Sequence, residues 1–308
     1  MNTTLTEEKL MHRKKILVTG SSGFIGRKVI EHLMRNGSKT LSLDVVRSSS
    51  NGKVNFLLAD ILDLPAIDRI LFENDCETII HLVGLPHIGS CEKDPHLSFQ
   101  LNVLSVQNIL EAMRKNDARK IVFASSAAVY GYSSVTPVKE SDRSNPSTIY
   151  GYHKLIAEEI IRSYCASYGL SYVILRLFNV YGGDPHSGKD VISLFIKSAL
   201  RGEPIVVKGS KKFRDFIHVD DVAEAFGKAA TGNVVNEVVN IGTGKIMTLN
   251  EVAEITKRAF PNVTVKYIEA GDDGTGLLAD VELMKRELCL SPRDPREGIL
   301  AHMLDYSS

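Results

Sequence analysis

The sequence predicts an α/β fold, an open and doubly wound parallel sheet with helices on both faces. Three observations lead there. Apolar runs of strand length alternate with amphipathic helical patterns along most of the 308 residues, an order that sets parallel strands side by side through crossover helices. The strand runs are apolar almost without interruption, as strands buried on both faces must be. The first run also breaks into a glycine-rich turn that opens straight into a helix.

Lys15–Thr19 is the first strand, an Ile-Leu-Val run stopped by Gly20. Gly23–Asn36 follows as a helix, because Ile25, Val29, Ile30, Leu33 and Met34 recur at helical spacing. Thr40–Leu43 and Val54–Leu58 are the next strands, and Leu64–Glu73 is a helix opened by Asp63 and Pro65. Strand Thr78–Val83, helix Leu97–Asn116, strand Lys120–Ala124, helix Tyr150–Tyr168 and strand Ser171–Leu177 continue the alternation. Beyond Val180 the spacing becomes irregular, with no fixed-period repeat and no low-complexity tract. Residues 1–12 are polar and read as a loosely held N-terminal extension.

The turn after the first strand reads Thr19-Gly20-Ser21-Ser22-Gly23-Phe24-Ile25-Gly26. Glycines there permit positive φ, close approach of backbone to a pyrophosphate, and tight helix–sheet packing, while the helix N-terminus offers unpaired N–H groups to phosphate. The next strand runs into Asp44, 18 residues past Gly26, where a dinucleotide-binding unit places the carboxylate for an adenosine ribose. An acid at that point repels a 2′-phosphate, so NAD is expected over NADP, with Arg47 as a residue that softens the preference.

Tyr150 and Lys154 are four apart and therefore share one helix face. A phenol has an ordinary pKa of about 10, and bringing it to roughly 7 takes about 4 kcal/mol of phenolate stabilisation, which nearby positive charge supplies. Lys154 is expected to contribute to it.

Together with Phe123-Ala124-Ser125-Ser126-Ala127-Ala128-Val129-Tyr130-Gly131, Leu175-Arg176-Leu177-Phe178-Asn179-Val180-Tyr181-Gly182 and Arg214-Asp215-Phe216-Ile217-His218-Val219-Asp220-Asp221, these motifs resemble the extended short-chain dehydrogenase/reductase family. The likeness is to its NAD-dependent nucleotide-sugar epimerase and dehydratase group, and it runs from about Lys14 onward. It implies a Rossmann domain from residues 14–180 with 212–245, and a smaller C-terminal α+β substrate-binding lobe from 181–211 with 246–308. It implies Ser126, Tyr150 and Lys154 as the catalytic residues: Ser126 to bond the sugar oxygen, Tyr150 to exchange the proton, Lys154 to hold the nicotinamide ribose. Cofactor contacts are implied for Gly20, Gly23, Phe24, Ile25, Gly26, Asp44, Asp60, Ile61, Leu82, Gly84, Asn102, Tyr150 and Lys154. Substrate contacts are implied for Ser126, Asn179 and Arg214.

Dehydratases of this group carry an Asp-Glu pair after the catalytic serine and the related decarboxylases a Glu; here Ala127-Ala128 follows. The expectation is therefore a nucleotide-sugar 4-epimerase working through a transient 4-keto sugar, of the UDP-glucose/galactose or N-acetyl type. A sugar-nucleotide 4-dehydrogenase or 4-keto-sugar reductase with net NAD(H) turnover is the alternative, and a catalytically idle NAD-binding regulator the third reading. Two departures concern substrate binding. Relatives place a diphosphate-clamping Arg where this chain has Glu269, which leaves Lys189, Lys211 or Lys212 to compensate, and Gly183-Asp184 stands where Pro-Arg is usual.

Several residues keep two readings. Asp60 is an adenine contact or a helix-capping acid; Arg214 binds pyrophosphate or pairs with Asp215 or Asp220. His81 reads as a strand-end structural residue, and Asn102 as a hydrogen-bonding group at the active-site end of its helix. His87 and His153 are pocket acid/base groups or hydrogen-bonding rim residues. The helices Leu97–Asn116 and Tyr150–Tyr168 resemble the family's dimer-forming pair, so a homodimer is expected, their apolar faces otherwise lying against the sheet. Lys+Arg and Asp+Glu number 37 each, which gives no electrostatic case for nucleic acid or an anionic membrane. No run is long and apolar enough to cross a bilayer. Cys76, Cys91, Cys165 and Cys289 lack metal-ligand spacing; with no secretory segment, reduced thiols and a cytoplasmic location are expected, and no metal.

Overall fold

The computed structural model describes residues 15–47, 54–131, 136–186, 188, 190–210, 212–269 and 276–307. The expected extension at 1–12, and Lys189 and Lys211, lie outside the described residues.

The first half of the chain is β1 (Lys15–Thr19), α1 (Phe24–Arg35), β2 (Thr40–Asp44), β3 (Asn55–Leu58), α2 (Leu64–Asn74), β4 (Cys76–His81), α3 (Ile88–Lys93), α4 (Pro95–Phe99), α5 (Ser105–Lys115), β5 (Lys120–Ser126), α6 (Ile149–Tyr168) and β6 (Ser171–Leu177). The second half is β7 (Asn179–Tyr181), α7 (Val191–Leu200), β8 (Ile205–Lys208), β9 (Phe213–His218), α8 (Val219–Thr231), β10 (Glu237–Ile241), β11 (Ile246–Thr248), α9 (Leu249–Ala259), β12 (Val265–Ile268), α10 (Glu282–Leu288) and α11 (Pro295–Leu304).

Seven strands form one parallel sheet in the order β10-β6-β5-β4-β1-β2-β3. The order reverses between β1 and β4, and ligands of such sheets bind in the crevice beyond the strand ends at that point. Apolar side chains from both faces of the sheet make two cores. Val29, Ile30 and Leu33 of α1 meet Val222, Phe226 and Ala229 of α8 on one face. Ile67 and Leu71 of α2, Ile109, Leu110 and Met113 of α5, and Ala157 and Ile161 of α6 fill the other. The α/β, doubly wound arrangement is thus the one the sequence predicts.

A third core holds Tyr181, Ile192, Phe195, Ile205, Val252 and Ile299, beside a three-stranded sheet β11-β9-β7 and a two-stranded sheet β12-β8. Residues 246–308 are divided between cores, because Ala279, Val281, Met284 and Leu288 pack into the main one. The expected lobe segment 246–308 is therefore interrupted by α10, whose apolar face covers β10.

Two local differences bear on the site. The helix expected over Leu97–Asn116 is α4, then a π-helical turn at Gln100–Leu104, then α5; a π turn widens the helix and redirects side chains. The strand expected to start at Thr78 starts at Cys76, which pairs with Lys15, and stops at His81.

Candidate active site

The C-terminal ends of the sheet open into a cavity of about 1120 Å³. One wall is the glycine turn. Gly20 has φ of +68°, and a Cβ on it would lie 2.9 Å from the Val83 nitrogen; a Cβ on Gly26 would lie 2.1 Å from the Gly20 carbonyl oxygen. The turn therefore folds on itself and over the end of β4 as only glycines allow. Asp44, at the end of β2, accepts the Ser22 N–H at 2.9 Å and the Val45 N–H at 2.8 Å, which fixes its carboxylate beside the turn. A bare glycine backbone at a helix N-terminus and an acid at the next strand end are the features a dinucleotide requires, so the residues present fit NAD. Phe24, Ile25, Leu82 and Gly84 line the same cavity.

Asn102 packs closely on Gly84 and bonds the next residue, Leu85. From the π turn, the buried Asn102 accepts the Leu85 N–H at 3.1 Å through Oδ1 and donates to the Leu85 carbonyl at 3.3 Å and the Ser98 hydroxyl at 3.1 Å. A Cβ on Gly84 would come within 2.6 Å of Asn102 Oδ1 and 3.3 Å of Lys154 Nζ. Asn102 therefore ties the β4 loop to α4, whose Ser98 in turn bonds His153 of α6 at 2.8 Å.

The opposite wall is β5 and α6. Thr148 caps α6 by accepting the Gly151 N–H at 3.1 Å, and Tyr150, Lys154 and Ser126 face the cavity together. Ser126 hydrogen-bonds Tyr150, and this favours the phenolate, yet burial outweighs it and the phenol is pushed up to about 12. Lys154 is 4% exposed, donates to the Ala124 carbonyl at 2.8 Å, and stands 5.9 Å from the Tyr150 ring centre. Burial lowers it to about 8. The expectation that Lys154 depresses the phenol is thus not met in the protein alone. The ammonium is itself desolvated and turned to a backbone carbonyl, so its field on Tyr150 does not overcome the cost of burying a phenolate.

Asn179 and Arg214 line the far end of the cavity with Lys212. Asn179 donates to the Asp215 carbonyl at 3.2 Å. The buried Asp215 carboxylate takes the Thr243 N–H and hydroxyl at 2.7 Å, Gly244 N–H at 2.9 Å and Ala279 N–H at 3.1 Å, so it is committed to the loop after β10. Arg27 and Phe213 also face the cavity without a motif that marks them, although Arg27 follows Gly26 directly.

Most of the other expected residues lie outside the lining. Asp60 is exposed and accepts the Leu62 N–H at 2.9 Å; the cap of α2 is Asp63, which accepts from Ala66, so the capping alternative for Asp60 does not hold. Ile61 is 3% exposed with its side chain in the core, which leaves only its backbone to meet a ligand. Glu269, at the end of β12, is exposed and outside the cavity lining. His87 lines the cavity mouth, while His153 bonds Ser98 Oγ at 2.8 Å and packs edge-on to Phe99. His81 is buried between Thr19 at 2.8 Å and Ser105 at 3.1 Å, the strand-end structural role expected.

A family model described as the NAD dependent epimerase/dehydratase family matches residues 16–242. The chain belongs to that family. Within it the protein falls in the extended short-chain dehydrogenase/reductase group of nucleotide-sugar epimerases, and its cofactor is NAD. A putative UDP-glucose 4-epimerase of Methanocaldococcus jannaschii is 42% identical over 250 residues, 79% of this chain and 81% of that one. The crystal structure of UDP-glucose 4-epimerase from Thermotoga maritima with UDP-glucose superposes with a TM-score of 0.88 at 29% identity, covering 95% and 98% of the two chains. The UDP-glucose 4-epimerase of Thermus thermophilus in complex with NAD gives 0.84 at 30% identity, covering 94% and 98%.

Proposed function

We propose that the protein inverts C4 of a UDP-hexose, of the UDP-glucose/UDP-galactose type or its N-acetyl analogues, through a transient 4-keto sugar. The observation that carries this reading is the meeting of Ser126, Tyr150 and Lys154 in one cavity between the glycine turn and Arg214, with Ala127-Ala128 directly after Ser126 in place of an acidic pair. When bound, NAD supplies the hydride acceptor and donor together with a cationic ring that favours the phenolate. Ser126 holds the C4 oxygen and Tyr150 takes its proton, then returns it after the sugar has turned. Lys154 holds the ribose and keeps positive charge beside the phenol. Asn179 and Arg214 bind the diphosphate side, with Lys212, which lines the same cavity, as a further cation in place of the usual clamp. Ala127-Ala128 lacks the acid or base that the dehydratases and decarboxylases carry at that place, which favours epimerisation over dehydration and decarboxylation.

Incubation with UDP-glucose, UDP-galactose and their N-acetyl analogues tests this. The expected result is C4-inverted product with no net change in absorbance at 340 nm. No inversion of any nucleotide sugar refutes it, and a stoichiometric rise or fall at 340 nm identifies the net oxidoreductase instead.

We also read the protein as a cytoplasmic homodimer. Leu97, Phe99, Leu104, Tyr152 and Ile156 are exposed on α4, the π turn and α6, a large apolar surface for a free monomer. Cys76, Cys91 and Cys165 are buried free thiols, in keeping with a reducing compartment. Among the described residues no helix is long and apolar enough to cross a membrane. A monomer in sedimentation at micromolar concentration contradicts the dimer.

A further inference from the structure

Behind the reacting residues lies a buried charge that the proposed mechanism does not use. Glu158 is one helical turn past Lys154 on α6 and has no exposed surface. Four donors reach its two oxygens: Ser125 Oγ at 2.5 Å and Arg176 Nε at 3.0 Å on Oε1, Arg176 Nη2 at 2.7 Å and Arg162 Nη2 at 2.9 Å on Oε2. Ser125 and Arg176 are 2% and 3% exposed and sit opposite each other in the β5–β6 register. Full satisfaction of a buried carboxylate by donors from three elements fixes their mutual placement.

What these elements carry gives the placement its meaning. Ser125 precedes Ser126, whose side chain leaves β5 on the other face. Tyr150, Lys154 and Glu158 follow one another at four-residue steps along one stripe of α6. Arg176 lies over the Tyr130 ring at 4.8 Å, and the Tyr130 hydroxyl donates to Asn240 Oδ1 at 2.7 Å, so the same carboxylate is braced through to β10.

We infer that Glu158 is a positioning residue for the reaction: from the helix that bears Tyr150 and Lys154 it grips the strand that bears Ser126, sets the spacing of the two hydroxyls, and places a fixed negative charge one turn from the Lys154 ammonium. The inference rests on the reading of Ser126, Tyr150 and Lys154 as the reacting set. Lys154 meets other groups as well. Tyr150 is on its own helix, Cys91 comes from α3, His81 from β4, and the Phe123 ring and the Ala124 carbonyl from β5. Of these, Cys91 and Glu158 favour the charged form against burial, and Glu158 is the carboxylate among them.

Glu158→Gln tests the inference, since it keeps the shape and one acceptor while removing the charge. The expected result is a fall in kcat of about 10- to 100-fold with KM for UDP-galactose within about twofold and bound NAD unchanged. A second measurement needs no turnover: the pH at which Lys154 begins to react with an amine reagent, followed by mass spectrometry, moves about one unit lower in the variant. Wild-type kcat, or a Lys154 titration that does not move, overturns the inference. Because Arg176 is left unbalanced, Ser125→Ala serves if Glu158→Gln does not fold. It leaves the ion pair in place, and a kcat lower by about 10-fold at unchanged KM and melting temperature supports the role, whereas unchanged kcat overturns it. A wild-type enzyme that turns over no nucleotide sugar would remove the functional reading while the Lys154 titration still decides the effect of Glu158.

Discussion

Gly151 follows Tyr150 on the first turn of α6 and packs on the turn after Ser126. A Cβ there would lie 2.5 Å from the Ala128 carbonyl oxygen and 3.1 Å from Pro146 Cβ. Ordinary contact begins at 3.4 Å, so α6 and the Ala128 turn must part by about 0.9 Å, the difference between 3.4 and 2.5 Å. The nearer atom belongs to the backbone and has no rotamer to yield. Ala128 donates its N–H to Ser126 Oγ at 3.2 Å, so the displacement falls on the Ser126–Tyr150 pair. In Gly151→Ala the helix gains up to about 1 kcal/mol of propensity, while overpacking costs about 1–3 kcal/mol. Stability therefore falls by up to about 3 kcal/mol, but a misplacement near 1 Å costs about 100-fold in rate. The variant is expected to fold, retain NAD, and show kcat reduced about 100-fold with UDP-galactose in a coupled assay, with its melting curve recorded alongside. A variant that melts above wild type and turns over at the wild-type rate would refute the packing argument.

Three further outcomes are expected. Arg214→Met raises KM for the UDP-sugar by about 10-fold or more through loss of a charge-assisted bond, with kcat little changed; titration calorimetry with UDP reports the same loss without turnover. Asp44→Ala frees the Ser22 and Val45 amides and is expected to lower NAD retained per subunit on purification, measured by absorbance after denaturation; full retention contradicts the placement of the ribose. Burial holds His81 at about 3 and His218 at about 4, both below their ordinary value of 6.5. The unfolded chain therefore binds more protons between those values, so stability is whole above pH 6.5 and falls as the pH drops toward 3. His81→Gln should flatten that fall in melting temperature, and an unchanged slope would show that other groups carry it.

The glycine turn and the Tyr150–Lys154 pair were legible because each is local, written in spacings shorter than two helical turns, and Asp44 because it ends the next strand, 18 residues past Gly26. The sheet was legible for a related reason, since continuous apolar runs leave little choice of environment. Asn102 was legible only in part, as its role depends on a π turn that the packing of Ser98 and Leu85 around it defines. Glu158 carries no signal in the sequence and Arg176 stands there only within a family motif; the fold brings the two together. The phenol of Tyr150 shows the limit most clearly. Sequence spacing supplied the cation, but burial, a property of the whole wall, sets the larger effect. The Ile61 side chain and the interruption of the lobe by α10 likewise follow from which surfaces the completed sheet leaves to be covered.

The order of strand addition has a consequence for synthesis of the chain. β10 occupies the sheet edge beside β6, yet 59 residues, from Phe178 to Asn236, separate the two strands. A nascent or truncated chain ending within that interval exposes the β6 edge, with its unpaired amides and carbonyls beside the apolar Val173, Ile174 and Leu175. Such an edge invites pairing with a second chain. Completion of the intervening elements therefore protects solubility as well as forming the far wall of the cavity, and stop mutations in this stretch should yield aggregates rather than a free cofactor-binding half.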